Sequence, residues 1–178
     1  MSVFLKKGYK DTSIDELVKA TGVARYGLYS TFGNKQEMFL KILQHYRQTM
    51  THFWSAGLDR EDAKVDEVKN LVNRLQDFAQ GSQGDTGCLM CKTAASGKSI
   101  PNDIRAEVDD YFDYFHFLFF RAFENSRKAE ELPKGFDSRA NAEFYICVLK
   151  TSDLLARADN PDHLYNGYFT IAHDRLNF

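Results

Sequence analysis

Only three prolines, Pro101, Pro133 and Pro161, interrupt 178 residues, and between the turn signals apolar side chains recur every three or four positions instead of alternating. That period is what a helix with one buried face requires, so the pattern predicts an all-α protein. It marks Ser2 to Lys7, Ile14 to about Ala20, Ala24 to Thr31, a long helix from Lys35 through MFLKILQHYRQTMTHFWS, and Val65 to Ala79. Four more follow: one begun by CLMCKTAAS, one from Pro101 to about Lys128, one capped by Asp137 or Ser138 and reaching Ala158, and a last one toward Leu176. Glycine-rich Gly81 to Gly87 and Asn160-Pro161-Asp162 are expected breaks, and no internal repeat or low-complexity tract is visible.

The local chemistry is sharpest in the first 35 residues. Ser13 followed by Ile14-Asp15-Glu16 predicts a capping box, in which the Ser13 hydroxyl meets the Glu16 amide and the Glu16 carboxylate returns to the Ser13 amide. Gly22 is free to take the left-handed conformation that closes a helix, and Asn34 is placed to cap the long helix. Two short helices around a glycine turn, the second small, polar and basic, form the arrangement that sets a recognition helix in the major groove. Arg25 suits a phosphate or a guanine edge, and Tyr26 and Ser30 offer hydroxyls to bases. Gly27 would let the backbone come close to the duplex. An ordinary helical hairpin shares this spacing, so spacing alone leaves both readings open.

Charge is divided unevenly. Residues 1–50 carry eight basic against four acidic side chains, a net of +4, so the overall −2 leaves −6 on the remainder. A basic small unit joined to an acidic larger one suits a nucleic-acid reader carried on a domain with another task. A hydrophobic share of 43%, a charged share of 27% and a mean hydropathy of −0.46 describe a chain that buries a core in water. No apolar run approaches the ~18 residues that span a bilayer, and MSVFLKKGY has no secretory pattern. The expectation is a cytoplasmic protein with no membrane partner. Cys88, Cys91 and Cys147 are too few for a disulfide framework and fit a reducing compartment.

GYKDTSIDELVKATGVARYGLYSTFGNKQEMF, Gly8 to Phe39, resembles the DNA-binding domain of TetR-type transcriptional regulators, with Leu28-Tyr29, Phe32 and Lys35 in register. The resemblance implies a three-helix helix-turn-helix domain over 1–45 and a helical ligand-binding and dimerisation domain over 46–178. It implies a DNA-binding surface of Thr12, Ser13, Ala24, Arg25, Tyr26, Gly27, Tyr29, Ser30, Thr31 and Lys35. Within it Thr12, Tyr29 and Lys35 would hold phosphates, Ala24 to Gly27 with Ser30-Thr31 would face the groove, and Phe32 would plug the seam toward the long helix. Lys35 also has a physical warrant, since an anion at a helix N-terminus meets free amides and the lysine charge. Two departures stand out. Tyr26-Gly27 replaces the family's usual small pair, which leaves the operator sequence open, and the family's first helix ordinarily starts before the position of Met1. A trimmed start or a weakened hold on DNA is the expectation from the second.

The larger half resembles the family more loosely. A two-fold homodimer is expected, because paired half-sites demand one; the candidate interface is the last helical pair, with Ala140, Phe144, Val148, Thr151 and Leu155 on one stripe and Tyr165, Tyr168, Phe169 and Ala172 on the other, core packing being the alternative. YFDYFHFLFFRAF, Tyr111 to Phe123, sets Phe112, Phe115, Phe119 and Phe123 on one helical face with His116 beside them. Such a helix is central and buried, or it lines a pocket for a flat hydrophobic or aromatic effector. The ligand-site candidates are Trp54, Cys88, Phe112, Phe115, His116 and Phe119. Cys88 and Cys91 form C-x-x-C, and a Cys88 thiol sensor for electrophiles or oxidants is one alternative. No second pair with zinc spacing accompanies them, and no metal or cofactor is expected. No nucleophile–base pair or phosphate loop suggests an enzyme. The leading expectation is a ligand-responsive dimeric repressor of palindromic DNA; the competing class is a helical ligand-binding or scaffold protein that has lost DNA recognition.

Overall fold

A computed structural model describes residues 1–81, 87–158 and 162–178, the side chains of 162–164 excepted. Its elements are α1 (Ser2–Lys7), α2 (Ile14–Thr21), α3 (Arg25–Phe32), α4 (Lys35–Ser55), α5 (Val65–Gln80), α6 (Leu89–Ala95), α7 (Asn102–Lys128), α8 (Ser138–Arg157) and α9 (Asp162–Asp174). The described residues are all-α, as the periodicity predicts, and the one element it does not anticipate is a 3₁₀ turn at Gly97–Ser99. The expected breaks at 82–86 and at 160–161 lie outside the described residues. No described helix is long and apolar enough to cross a membrane.

The caps account for where the first helices begin and end. The Ser13 hydroxyl accepts from the Glu16 amide at 3.2 Å while the Ser13 amide donates to Glu16 Oε2 at 2.9 Å, so α2 opens on the predicted capping box. Gly22 closes it at φ 71° and ψ 2°, left-handed backbone that a Cβ would strain. Asn34 Oδ1 accepts from the Gln36 and Glu37 amides at 2.9 and 3.0 Å, and Glu37 returns to the Asn34 amide at 2.7 Å. Helix α4 is therefore capped as expected.

The chain divides into two compact units, Met1–Thr51 with Thr86–Tyr111 and His52–Asp85 with Phe112–Phe178. The division falls inside α4 and inside α7, whereas the sequence reading cuts the chain once at 45/46. Within the first unit the reason is visible. The Lys92 ammonium on α6 donates to the Leu5 and Lys6 carbonyls at the end of α1, Gln36 on α4 donates to Asp103 at 2.9 Å, and Arg47 pairs with the buried Glu107 at 2.8 Å. Phe4 packs edge-on against Phe39, ring centroids 4.9 Å apart, and both are fully buried.

The second unit is built around α5, whose Val65, Val68, Leu71, Val72, Leu75 and Ala79 form the buried face and which packs on α8 and α9. The Tyr145 hydroxyl donates to the Ala172 carbonyl at 2.7 Å, and burial pushes that hydroxyl's pKa up. The segment after α4 is held through its carbonyls. Arg74 donates to Trp54 at 2.8 Å, Arg121 to Asp59 at 2.8 Å, and Asn125 to Glu61 and Ala63 at 2.8 and 2.9 Å. Carbonyls at and beyond a helix end have no helical partner, and these long polar side chains supply one. Of the two stripes read as an interface, Val148, Tyr165, Phe169 and Ala172 are core. Among the exposed positions of α8 and α9, Ala140, Cys147, Leu154 and Ile171 are apolar, between charged or polar ones such as Glu143, Lys150, Arg157 and Asn166.

Candidate nucleic-acid interface

Helix α3 is thin: of its eight residues only Leu28 is buried. Leu28 seats the helix, and the remainder is available to the outside. Arg25, Tyr26, Tyr29, Ser30 and Thr31 are all exposed, with Tyr26 84% and Tyr29 40% accessible. Ala24, the residue before the helix, is exposed as well and makes no side-chain cap. Gly27 has a packing reason. A Cβ there would lie 3.0 Å from Val23 Cγ1, so the position nearest the turn stays small while the large side chain falls on its neighbour Tyr26. Phe32 departs from the expected plug. It is exposed, with the Lys41 ammonium 6.0 Å from its ring centroid, because Leu28 one turn earlier already occupies the inward direction.

Other members of the expected surface have inward or local commitments. Thr12 is 1% exposed, and its hydroxyl donates to the Gly8 carbonyl at 2.7 Å, so it faces the interior and offers no donor to the outside. Ser13 is exposed but its hydroxyl is held in the capping box. Ser30 donates to the Gly27 carbonyl at 3.1 Å. Lys35 is half-buried, its ammonium 3.2 Å from the Lys10 carbonyl and 4.8 Å from the Tyr9 ring centroid. Burial lowers its pKa, against the opposing pull of Asp11 and Glu16. Two amides of the α4 first turn are already taken by Asn34, which removes much of the helix-end contribution that the sequence reading assigned to an anion there.

Three residues outside the expected DNA-binding set, Asp15, Lys7 and Tyr9, complete this surface. Asp15 Oδ1 accepts from Arg25 Nη2 at 2.5 Å, and this hydrogen bond raises the Arg25 pKa. Lys7 pairs with Glu16, whose carboxyl that bond, the Ser13 amide and the Ser13 hydroxyl together hold at about 2, well below the ordinary 4.5. Tyr9 underlies Lys35. Each involves partners nine to twenty-six positions apart, beyond the reach of any single-helix spacing rule.

The ligand-site candidates separate between the two units. Trp54, Phe112, Phe115, His116 and Phe119 belong to the second and Cys88 to the first. Trp54 stacks edge-on with Phe53 and Phe78, Phe119 lies 5.8 Å from Tyr145, and the Lys150 ammonium sits 4.1 Å from the Phe112 ring centroid. Phe115 is fully buried and His116 partly exposed. Cys88 is the N-cap residue of α6 and is buried, as is Cys91, and the buried Tyr46 hydroxyl beside them has its pKa driven up chiefly by desolvation and then by Cys88. Reactive thiol sensors are accessible, so this burial favours packing. Among the described residues no group of three or more His, Cys, Asp or Glu side chains could hold a metal ion.

Residues 1–42 match the family model described as bacterial regulatory proteins, tetR family. The nucleoid occlusion factor SlmA of Actinobacillus pleuropneumoniae serotype 5b is 28% identical over 140 residues, which cover 78% of this chain and 67% of SlmA. The HTH-type transcriptional repressor ComR of Escherichia coli K12 is 26% identical over 162 residues, covering 88% of this chain and 75% of ComR. In three dimensions the chain is similar to a cysteine variant of the TetR family transcriptional regulator CifR solved with 26-bp double-stranded operator DNA. The TM-score is 0.78 at 22% identity, over 98% of this chain and 90% of that one.

Proposed function

We propose that this chain is a TetR-type transcriptional regulator with an N-terminal DNA-binding domain, a reading supported by the family match over residues 1–42, and that it is a cytoplasmic repressor acting as a homodimer on palindromic operator DNA and released by a small hydrophobic or aromatic effector. The observation that carries the DNA-binding part is α3 itself, a helix seated by one leucine that leaves Arg25, Tyr26, Tyr29, Ser30 and Thr31 exposed in a row. Such a helix enters a major groove, with its N-terminal residues at base edges. Arg25 and Tyr26 stand there, Tyr29 and Lys35 flank them toward the phosphates, and Thr12 acts from inside by holding the Gly8 carbonyl. The dimer is supported by Leu154 and Ile171, large apolar side chains 59% and 62% exposed on α8 and α9. The effector reading is supported by the aromatic density of α7, with Trp54, Phe112, Phe115 and Phe119 as the wall and His116 as the polar anchor. Cys88, which belongs to the first unit, stays a separate candidate.

Fluorescence anisotropy with labelled duplex from the region flanking its gene tests the reading. The wild type binds saturably, with an affinity that falls steeply as salt rises because phosphate contacts release counterions. Arg25→Ala and Tyr29→Ala weaken that binding about tenfold or more while remaining folded. Absence of binding by the wild type at low salt would overturn the DNA-binding reading in favour of a helical ligand-binding protein.

A further inference from the structure

The proposed DNA-facing surface contains an acid where bases would be expected. Asp15, the second residue of α2, and Arg25, the first of α3, are joined Oδ1 to Nη2 at 2.5 Å, and both are exposed. A carboxylate facing a duplex is repelled by phosphates, and a solvated ion pair of this kind contributes little to stability. A carboxylate in the first turn of α2 suits the helix dipole, but neither that nor affinity for the backbone requires it to hold Arg25.

Hydrogen-bond geometry supplies a reason. Arginine has five N–H donors on a rigid plane, and a single contact at Nη2 leaves Nε, Nη1 and the second Nη2 hydrogen free. A phosphate is met from many directions by charge alone, whereas the O6 and N7 atoms of guanine need two parallel donors in the plane of the base. Tethering the guanidinium removes rotamer freedom that would otherwise be lost on binding. It also gives the arginine an anion already, which diminishes the advantage of a phosphate over a base edge. We propose that Asp15 is a positioning residue that turns Arg25 into a reader of guanine, so that each half-site carries one G·C pair recognised through the Asp15–Arg25 couple. The proposal rests on the DNA-binding reading above and assigns a specificity to it.

The full chain is used to enrich binding sites from a library of random duplexes, and each guanine of the enriched site is then replaced in turn by 7-deazaguanine, which lacks the N7 acceptor but still pairs. One guanine per half-site is expected at which replacement weakens wild-type binding by about fivefold or more, an effect absent in Arg25→Ala. Asp15→Asn reduces that penalty to less than about twofold, while its binding to unrelated DNA stays equal or tightens because an anion has left the phosphate-facing surface. Asp15→Glu, which keeps a carboxylate, recovers the discrimination, and thermal melts followed by circular dichroism verify that all variants are folded; Asp15→Ser replaces Asp15→Asn if the latter is not. If the asparagine variant keeps the full penalty, or no guanine responds through Arg25, the positioning role is wrong although the protein still binds its site. If the wild type enriches no sequence, the DNA-binding reading fails and this inference fails with it.

Discussion

Helix α3 and the middle of α7 are both rich in aromatic residues at helical spacing, but only α7 buries a full stripe of them. In α3, Tyr26, Tyr29 and Phe32 are exposed around one buried leucine, whereas α7 buries Phe112, Phe115, Phe119 and Phe123, each at most 5% exposed, and leaves Tyr114, Phe117 and Phe120 outward. The difference lies in what surrounds the aromatics. Helix α3 interleaves them with Arg25, Gly27, Ser30 and Thr31, which leave a single apolar direction, while α7 adds Leu118 and Ala122 and so has apolar side chains over most of its circumference. An aromatic stripe on a helix apolar nearly all round contributes stability; on a helix with one anchoring residue it is a surface.

The strongest way to break this contrast is Phe115→Ala. A fully buried phenylalanine in a packed unit should cost about 3–5 kcal/mol in unfolding free energy, measured by urea denaturation. A loss below about 1 kcal/mol would assign the ring to the wall of the proposed effector site alone, with no share in packing. On the other side, Arg25→Ala should weaken operator binding about tenfold or more while shifting stability by no more than about 0.5 kcal/mol, read by anisotropy and denaturation on the same preparation. Equal damage to both quantities would erase the distinction between the two helices. Ser13→Ala removes the α2 cap and should cost about 1 kcal/mol, visible as a lower denaturation midpoint, with α7 unaffected.

The smallest effect is the pH response. Glu16 in the first unit and Glu124 in the second both titrate at about 2, Glu16 through Lys7 and Ser13 and Glu124 through Arg127 and Ser138. Because each folded-state pKa lies below the ordinary 4.5, the stabilisation is present above that value and is lost as pH falls through about 2. Carboxyl NMR titration should show both low midpoints, with Lys7→Ala raising only that of Glu16.

Local rules made much of this legible. Ser13 with Glu16, Gly22 and Asn34 each announce a helix boundary through hydrogen-bond chemistry that operates within three residues, and the helices begin and end there. The surface beside them was less visible for the converse reason. Thr12 looks like a surface hydroxyl until Gly8 offers it a buried carbonyl, and Asp15 looks like an ordinary first-turn acid until α3 brings Arg25 to it. The single domain cut at 45/46 follows the family resemblance, while Lys92, Asp103 and Glu107 group α6 and the start of α7 with the first helices through contacts between residues sixty or more positions apart.

The Lys92 contact bears on protein engineering. Helix α1 is six residues long, too short to persist alone in water, and its terminal carbonyls are closed by an ammonium group far along the chain. The proposed DNA-binding unit is therefore not a portable cassette. A fusion built from residues 1–45 would leave behind Lys92 and the Asp103 partner of Gln36, and its first helix would fray. A working transplant has to carry residues 86–111 as well.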